Sequence, residues 1–404
     1  MRASDAGPLR VAIFGESYLP YLSGVTVSTE ALARGLGRAG HRVLLVAPRP
    51  ATRGEPGSAG SPGPSPEYAW LPSYQPPRPA PPGYRMPLPL PSAALHAATD
   101  FAPDVVHAQS PFVSGLMARR TAQRVRAPLV FTHHTRFADY GHYLGPLAGA
   151  GRTALNAYMR DFWTGCAAIV APGTQLADEV HERLAGRRRP LVRVIPTGLD
   201  VASLAALRAV DPRPAHGWPS NAVVVVSVGR LALEKSVDLL LDAFARAAAG
   251  DERLRLLLVG RGPAEPAVRE RAAAPDLAGR VGLTGQRQRL DALAVARGAD
   301  LFAFASRTET QGLVLAEALA VGLPVVALDG PGVRDSVRDG VDGVVVAADP
   351  APTRAERLGL ALASLAEDVD RRRALATAAA RDATRFDVAR RVDETVALYR
   401  ELLA

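Results

Sequence analysis

The chain has 404 residues, with 48 Lys or Arg against 40 Asp or Glu and a net charge of +8; 48% of the residues are hydrophobic and 22% charged. That length gives two or three domains with cores of their own, and the composition excludes a disordered chain. A single cysteine, Cys166, excludes a disulfide framework or a multi-cysteine zinc site, and no apolar run is long enough to span a bilayer.

In chain order, the first half offers strands at Val11–Gly15, Val43–Ala47, Val105–His107, Leu129–Thr132, Ile169–Ala171 and Val192–Ile195. Stretches of helical spacing lie between most of them, such as Thr29–Ala39 and Gly115–Arg124. A second series starts at Val223–Val228 and continues through Leu256–Val259, Val281–Leu283, Leu301–Phe304, Val325–Ala327 and Gly343–Val346. Continuous apolar strands alternating with helices predict parallel sheets covered on both faces. Two such series predict an α/β protein with two doubly wound domains. Pro196–Asn221, rich in Pro, Gly and turn residues, reads as the linker.

Pro48–Pro91 holds 15 of the 34 prolines. Its part Thr52–Pro66 reads as a flexible Gly/Ser/Pro loop, and Tyr68–Pro91 as an ordered extended loop lying against the domain. Arg371–Leu403 reads as one long helical stretch. Met1–Arg10 lacks the apolar stretch of a signal peptide, which predicts a cytoplasmic protein.

Four segments carry candidate chemistry. The first, from Glu16 to Ser28, follows the first strand and contains Gly24, where a phosphate or sugar can approach a helix start; the alternative is an ordinary turn. It lacks the dinucleotide fingerprint G-x-G-x-x-G. The second, Gly229 to Lys235, follows the first strand of the second series. Arg230 and Lys235 there are either phosphate ligands or solvated charges at a helix start. Lys235 is the only lysine in a chain that otherwise uses arginine, which favours a ligand role.

The third segment runs from Thr308 to Glu317, with Glu309 and Glu317 eight residues apart. Residues Gln311–Leu313 open a helix, Gly312 leaves its N-terminus accessible to an anion, and Glu317 lies about 6 Å further down. One carboxylate would accept from sugar hydroxyls and the other from ribose, the alternative being two solvated glutamates. The fourth, Thr132 to Tyr143, includes His133, His134, Asp139 and His142 after a strand; no zinc or iron spacing is matched, so no metal site is expected. Asp368-Val-Asp370 lies in a helical stretch and is set aside as a metal motif.

Together these segments resemble glycosyltransferase family 4, retaining enzymes of the GT-B fold, over nearly the whole chain. The carriers are Glu309/Glu317, the G-R-x-x-x-E-K run, Ile195-Pro-Thr-Gly-Leu-Asp200 and the Gly24 loop, in the family's order. Thr197 departs from the asparagine common there. Thr132–Tyr143 and Leu71-Pro-Ser-Tyr…Tyr84-Arg-Met are similar to the subgroup that glycosylates diacylglycerol. The resemblance implies two Rossmann-like domains facing across a cleft: 1–200 for the acceptor, 201–380 for a nucleotide sugar, and a helix at 381–404 returning to the first. It assigns Arg230 and Lys235 to the diphosphate, Glu317 to ribose, Glu309 to the hexose, and Thr310, Gln311, Gly312 and Leu313 to backbone contacts. It places His134 at the donor sugar and Gly24 beside the diphosphate and acceptor.

The implied activity is retaining transfer of a hexose from UDP-glucose or UDP-galactose to a membrane lipid such as 1,2-diacylglycerol, without metal or other cofactor. The alternatives are the same retaining transfer to a soluble acceptor such as a sugar phosphate, or to a phosphatidylinositol or mannolipid acceptor using GDP-mannose, and a non-catalytic nucleotide-sugar-binding module; the intact Glu309, Glu317, Arg230 and Lys235 speak against the last. The excess of arginine points to an anionic partner, a phosphate ligand or an anionic membrane surface. With 5% aromatic residues and scattered arginines, no nucleic-acid partner is expected. Three basic clusters are candidates for peripheral contact with the inner face of the plasma membrane: Arg152 and Arg160 flanking the stripe Leu155, Met159, Phe162 and Trp163; Arg183, Arg187, Arg188, Arg189 and Arg193; and Arg119, Arg120, Arg124 and Arg126. For the stripe, burial in a core is the competing reading.

Overall fold

The computed structural model describes residues 7–21, 23–50, 65–77, 83–135, 148–186 and 190–404. The chain divides into two compact units, residues 1–199 with 388–404 and residues 200–387. The elements are β1 (Arg10–Phe14), α1 (Gly24–Arg38), β2 (Arg42–Pro48), β3 (Glu67–Leu71), β4 (Ser73–Tyr74), β5 (Met86–Pro87), α2 (Ala93–Asp100), β6 (Val105–Ala108), α3 (Val113–Val125), β7 (Leu129–Thr132), α4 (Ala148–Thr164), β8 (Ala168–Ala171), α5 (Thr174–Arg183) and β9 (Leu191–Val194). They continue with α6 (Val201–Ala205), β10 (Val223–Val228), α7 (Val237–Ala248), β11 (Leu254–Val259), α8 (Glu265–Ala272), β12 (Val281–Gly285), α9 (Arg289–Arg297), β13 (Leu301–Phe304), α10 (Leu313–Ala320), β14 (Val325–Leu328), α11 (Val333–Ser336), β15 (Gly343–Val346), α12 (Arg354–Glu367), α13 (Val369–Arg381) and α14 (Val388–Leu403).

In the first unit, a seven-stranded sheet runs β3-β2-β1-β6-β7-β8-β9 with every pairing parallel. Alternate residues of one strand enter opposite cores, as pleating requires. Ala12, Phe14, Leu44 and Val46 pack with α2, α3 and α4; Val11, Ile13, Val43 and Leu45 pack with α1 and α14. The second unit holds a six-stranded parallel sheet, β12-β11-β10-β13-β14-β15. Alternate residues of β10 and β11 (Val223, Val225, Leu254, Leu256, Leu258) meet α7, α8 and α12 in its core.

Three sequence expectations change. Tyr68–Pro91 is not a single extended loop: β3 adds a parallel edge strand to β2, and β4 and β5 form a short antiparallel pair. Pro66 and Pro72 bracket β3, and an edge strand tolerates such neighbours because one side of its backbone needs no partner. Arg371–Leu403 is two helices, interrupted by a 3-10 turn at Ala383–Phe386 whose Ala383 and Phe386 are buried. The segment read as 381–404 therefore divides: 381–387 belongs to the second unit, and α14 to the first. The Val388 N–H donates to the Leu199 carbonyl at 2.8 Å, and a Cβ on Gly198 would lie 2.5 Å from Val388 Cα, so the contact requires glycine there. The apolar stripe of α4 is core, with Met159, Phe162 and Trp163 all under 3% exposed. Thr52–Pro64 and Arg187–Arg189 lie outside the described residues.

Helix α14 is tied to the sheet by His107 of β6. Its Nδ1 lies 2.6 Å from the Tyr399 hydroxyl and its Nε2 2.7 Å from Thr132 Oγ1. Burial pushes the His107 pKa down to about 3, and that of His134 to about 4. A histidine lowered by folding takes up its proton more readily in the unfolded chain, so its contribution is complete above about 6.5 and is lost as the pH falls. At pH 5 each such group costs about 2 kcal/mol. His41 and His216, also lowered by burial, act in the same direction. Unfolding at pH 5 is expected to take up about two protons on His107 and His134 together, read from the slope of unfolding free energy against pH. A stability unchanged between pH 7.5 and 5 would refute this.

Candidate functional site

In each unit the strand order reverses once, between β1 and β6 in the first and between β10 and β13 in the second. Open parallel sheets bind ligands at the carboxyl ends of the strands beside such a reversal, where adjacent loops diverge to opposite faces. Three of the four sequence segments, those of Gly24, Lys235 and Glu309, follow strands that flank these points. The fourth, that of His134, follows β7, next to β6.

In the second unit, the loop after β10 carries Gly229, Arg230 and a 3-10 turn at Leu233–Lys235; the loop after β13 carries Glu309 to Gly312. The hydroxyls of Ser306 and Thr308 donate to the Glu234 carbonyl at 3.3 and 3.1 Å, holding the two loops together. Lys235 Nζ donates to Glu309 Oε1, joining them by an ion pair. Arg230 is exposed and has no ion pair or hydrogen bond among the described residues. It is a cation that an anionic ligand can recruit without breaking another contact.

Gly312 caps α10 in the left-handed conformation at φ 68°, where glycine is favoured. Among the described residues no side chain caps this N-terminus; the Leu315 N–H turns back to the Gly312 carbonyl at 2.8 Å, and the N–H groups before it are offered to an anion. Glu317, on α10, is 8% exposed, and its Oε1 accepts from Arg289 Nε at 2.6 Å. A carboxylate this buried needs a partner, and Arg289, at the start of α9, supplies it. Arg289 had no signal in the sequence: 28 residues separate the pair, and only the placement of β12 and α9 brings them together. If Glu317 holds a ribose, as the resemblance implies, the Arg289→Ala variant is expected to raise KM for a nucleotide-sugar donor about tenfold with kcat nearly unchanged, and Arg289→Lys to restore part of the loss. An unchanged KM would show that Glu317 needs no such support.

In the first unit, Ser23 caps α1 in a reciprocal box with Thr26, so the helix opens at Gly24, five residues before the sequence reading. Gly24 is exposed, and a Cβ there would meet nothing within 4 Å. The unit itself does not require glycine at this position. Glu16 accepts from the Ser114 N–H at 2.8 Å and hydroxyl at 2.7 Å, fixing the loop after β1 to the start of α3. Thr197, the departure from asparagine, keeps a polar link by pairing its Oγ1 with Ser28 Oγ at 2.9 Å.

The two adjacent histidines after β7 part company. His133 is buried, with its ring 5.3 Å from that of Trp163, and serves the core. His134 is half-buried at the carboxyl end of the sheet, with Nε2 2.7 Å from Gln109 Oε1. Gln109, the residue after β6, escaped the sequence reading. Asp139, His142 and Tyr143 lie outside the described residues, and among those described no group of three His, Cys, Asp or Glu is arranged to hold a metal ion. Asp368 caps α13, accepting from the Arg371 N–H at 2.8 Å. No helix among the described residues is long and apolar enough to cross a membrane.

Two family models match the chain: Glycosyltransferase Family 4 over residues 22–203 and Glycosyl transferases group 1 over residues 211–382. The GDP-mannose-dependent alpha-mannosyltransferase of Mycolicibacterium smegmatis is 31% identical over 343 residues, 84% of this chain and 85% of that protein. The alpha-monoglucosyldiacylglycerol synthase of Acholeplasma laidlawii is 27% identical over 346 residues, 83% of this chain and 84% of that protein. Among solved structures, Anabaena HepE in complex with UDP and glucose superposes with a TM-score of 0.70 at 18% identity, covering 97% of this chain and 100% of that one.

Proposed function

The chain belongs to glycosyltransferase family 4 as a hexosyltransferase of the GT-B fold, and on that premise we propose that it moves a hexose, with retention, from a UDP-sugar to a membrane lipid of the diacylglycerol type. The observation that carries the donor half is the meeting of Lys235 and Glu309 beside the uncapped start of α10. The diphosphate takes Arg230, Lys235 and the backbone N–H groups of Thr310 to Leu313; Glu309 accepts from hexose hydroxyls and Glu317 from the ribose. As the glycosidic bond breaks, negative charge collects on the departing phosphate. Lys235, held in place by Glu309, and a helix N-terminus stabilise that charge with little reorganisation, and Arg230 adds a recruited cation. That set needs no divalent ion, and we assign none. His134 is assigned a hydrogen bond with the transferred sugar, and Gly24 a close approach by diphosphate or acceptor.

The acceptor half is supported by the name of the A. laidlawii relative and by the outer surface of α3. Phe112 and Leu116 are exposed there, and Arg120, Arg124 and Arg126 are exposed with no ion pair among the described residues. By contrast, Arg119, Arg183 and Arg193 are held by Asp161, Glu179 and Glu401. Free cations beside apolar side chains suit an anionic lipid surface, at about 1 kcal/mol per cation. The second reading, a GDP-mannose donor, is favoured by the higher identity to the M. smegmatis enzyme.

The test is incubation with UDP-glucose, UDP-galactose and GDP-mannose on anionic vesicles containing dioleoylglycerol, with products identified by mass. A monohexosyl lipid from a UDP-sugar, formed equally in EDTA, is expected. Transfer only from GDP-mannose would select the second reading. Activity lost in EDTA and restored by Mg²⁺ would overturn the assignment of no metal.

A further inference from the structure

Gln109 is placed by the sheet rather than by a loop. Its N–H donates to the Phe14 carbonyl at 2.8 Å, extending the β1–β6 pairing by one residue, and only 3% of the residue is exposed. Its Oε1 lies 2.7 Å from Nε2 of His134. Among the described residues its amide nitrogen has no hydrogen-bond partner. The residue also lines a cavity of about 40 Å³ whose wall includes Ser28, Thr132 and Thr197, so the amide lies between a hydroxyl-lined cavity and the imidazole.

A neutral imidazole carries one N–H, and an amide oxygen can only accept. With Oε1 toward the ring, the nitrogen it faces holds the hydrogen. We propose that Gln109 is a positioning residue that fixes His134 as the Nε2–H tautomer and so makes Nδ1 its accepting nitrogen. A sugar hydroxyl has a hydrogen to give, and an Nδ1 lone pair is what accepts it. The opposite tautomer would present N–H and compete for the hydroxyl's oxygen instead. An orienting partner on the far ring nitrogen is a general means of selecting a tautomer. The low pKa of His134 is consistent with a neutral ring, and its titratable neighbour His107 is also neutral near pH 7. This inference rests on the reading that His134 contacts the sugar.

The direct test is ¹⁵N NMR of the histidine rings in the full-length parent protein, with the His134 signals identified by their loss in His134→Gln. The Nε2–H pattern, unchanged from pH 8 to 5.5, is expected. An Nδ1–H pattern, as follows if the amide presents its NH₂ to the ring, would overturn the proposal, as would titration near 6.5. The isosteric Gln109→Glu variant supplies a second readout. A carboxylate at that distance favours the imidazolium and raises its pKa by about 1–3 units. Its kcat with a UDP-sugar and dioleoylglycerol is expected to fall as the pH drops from 8 to 5, by up to about tenfold already at pH 6, where the parent stays flat. Gln109→Leu should lower kcat about 10- to 100-fold and leave donor KM within about twofold. A purely structural role would move stability but not the pH profile. If His134→Gln keeps parental kcat while the NMR pattern is as expected, the assignment of His134 to the sugar fails and the tautomer stands. If His134→Gln is impaired and Gln109→Glu and Gln109→Leu are not, Gln109 has no such role.

Discussion

The Lys235→Arg variant is expected to lose about 10- to 1,000-fold in kcat, or about 1.4–4 kcal/mol of transition-state stabilisation, with a smaller rise in donor KM. The structure sharpens why so conservative a change should matter. Lys235 already pairs with Glu309, and a guanidinium can keep that pair, so thermal stability should stay close to the parent's. What it cannot keep is the compact point charge that the proposed contact with two phosphate oxygens requires. Charge on the leaving phosphate is greatest in the transition state, so the loss falls on kcat. Arg381→Lys is the control: its side chain is 70% exposed and its surface pair with Asp382 is worth about 1 kcal/mol or less. Steady-state kinetics decide the matter, and a near-parental kcat would overturn the proposed contact of Lys235 with phosphate.

The second large effect is expected at a residue that bears no functional group. Gly332 precedes α11 at φ 73°, and a Cβ there would stand 2.7–2.8 Å from the backbone C, Cα and N of Gln311. Ser336 of α11 also donates its hydroxyl to the Gln311 carbonyl at 3.0 Å. The loop after β14 is thus the buttress that holds the start of α10. Gly340 has the same φ of 73°, but a Cβ there would meet nothing within 4 Å. The Gly340→Ala variant should therefore show backbone strain alone, about 1–2 kcal/mol in denaturant unfolding, with activity kept. Gly332→Ala should show the same strain and also displace Gln311 and Gly312. A misplacement approaching 1 Å is enough for about a 100-fold loss in kcat/KM. Equal kinetic effects at the two positions would show that the buttress does not govern the site.

The parallel strands were legible because each is a short Val/Leu/Ile run buried on both faces, a pattern that survives without knowledge of its neighbours. The placement of Lys235 and Glu309 was legible for a related reason. Motifs that directly follow such strands must emerge at the carboxyl edge of the sheet. Other features depended on tertiary structure. Glu67–Leu71 lies among prolines, and only its pairing with β2 makes it a strand. The stripe Met159, Phe162 and Trp163 with flanking arginines suits a membrane face or a core equally, and packing against β7 and α3 decided for the core. The stretch from Val369 to Leu403 is uniformly rich in Ala and Arg, yet it serves two units because a turn with buried Phe386 divides it.

By itself, then, the sequence determined which strands form, that they form two parallel sheets, and which charged residues stand at their edges, since these follow from local pattern and chain direction. Only the tertiary structure decided the pairing of groups distant in the chain: Gln109 with His134, Arg289 with Glu317, and Gly332 against Gln311. The reason is physical. Such contacts are set by strand order and by loop approach to within an ångström. Composition and periodicity carry no record of either, because a hydrogen bond or a steric contact depends on distance in space and not on separation along the chain.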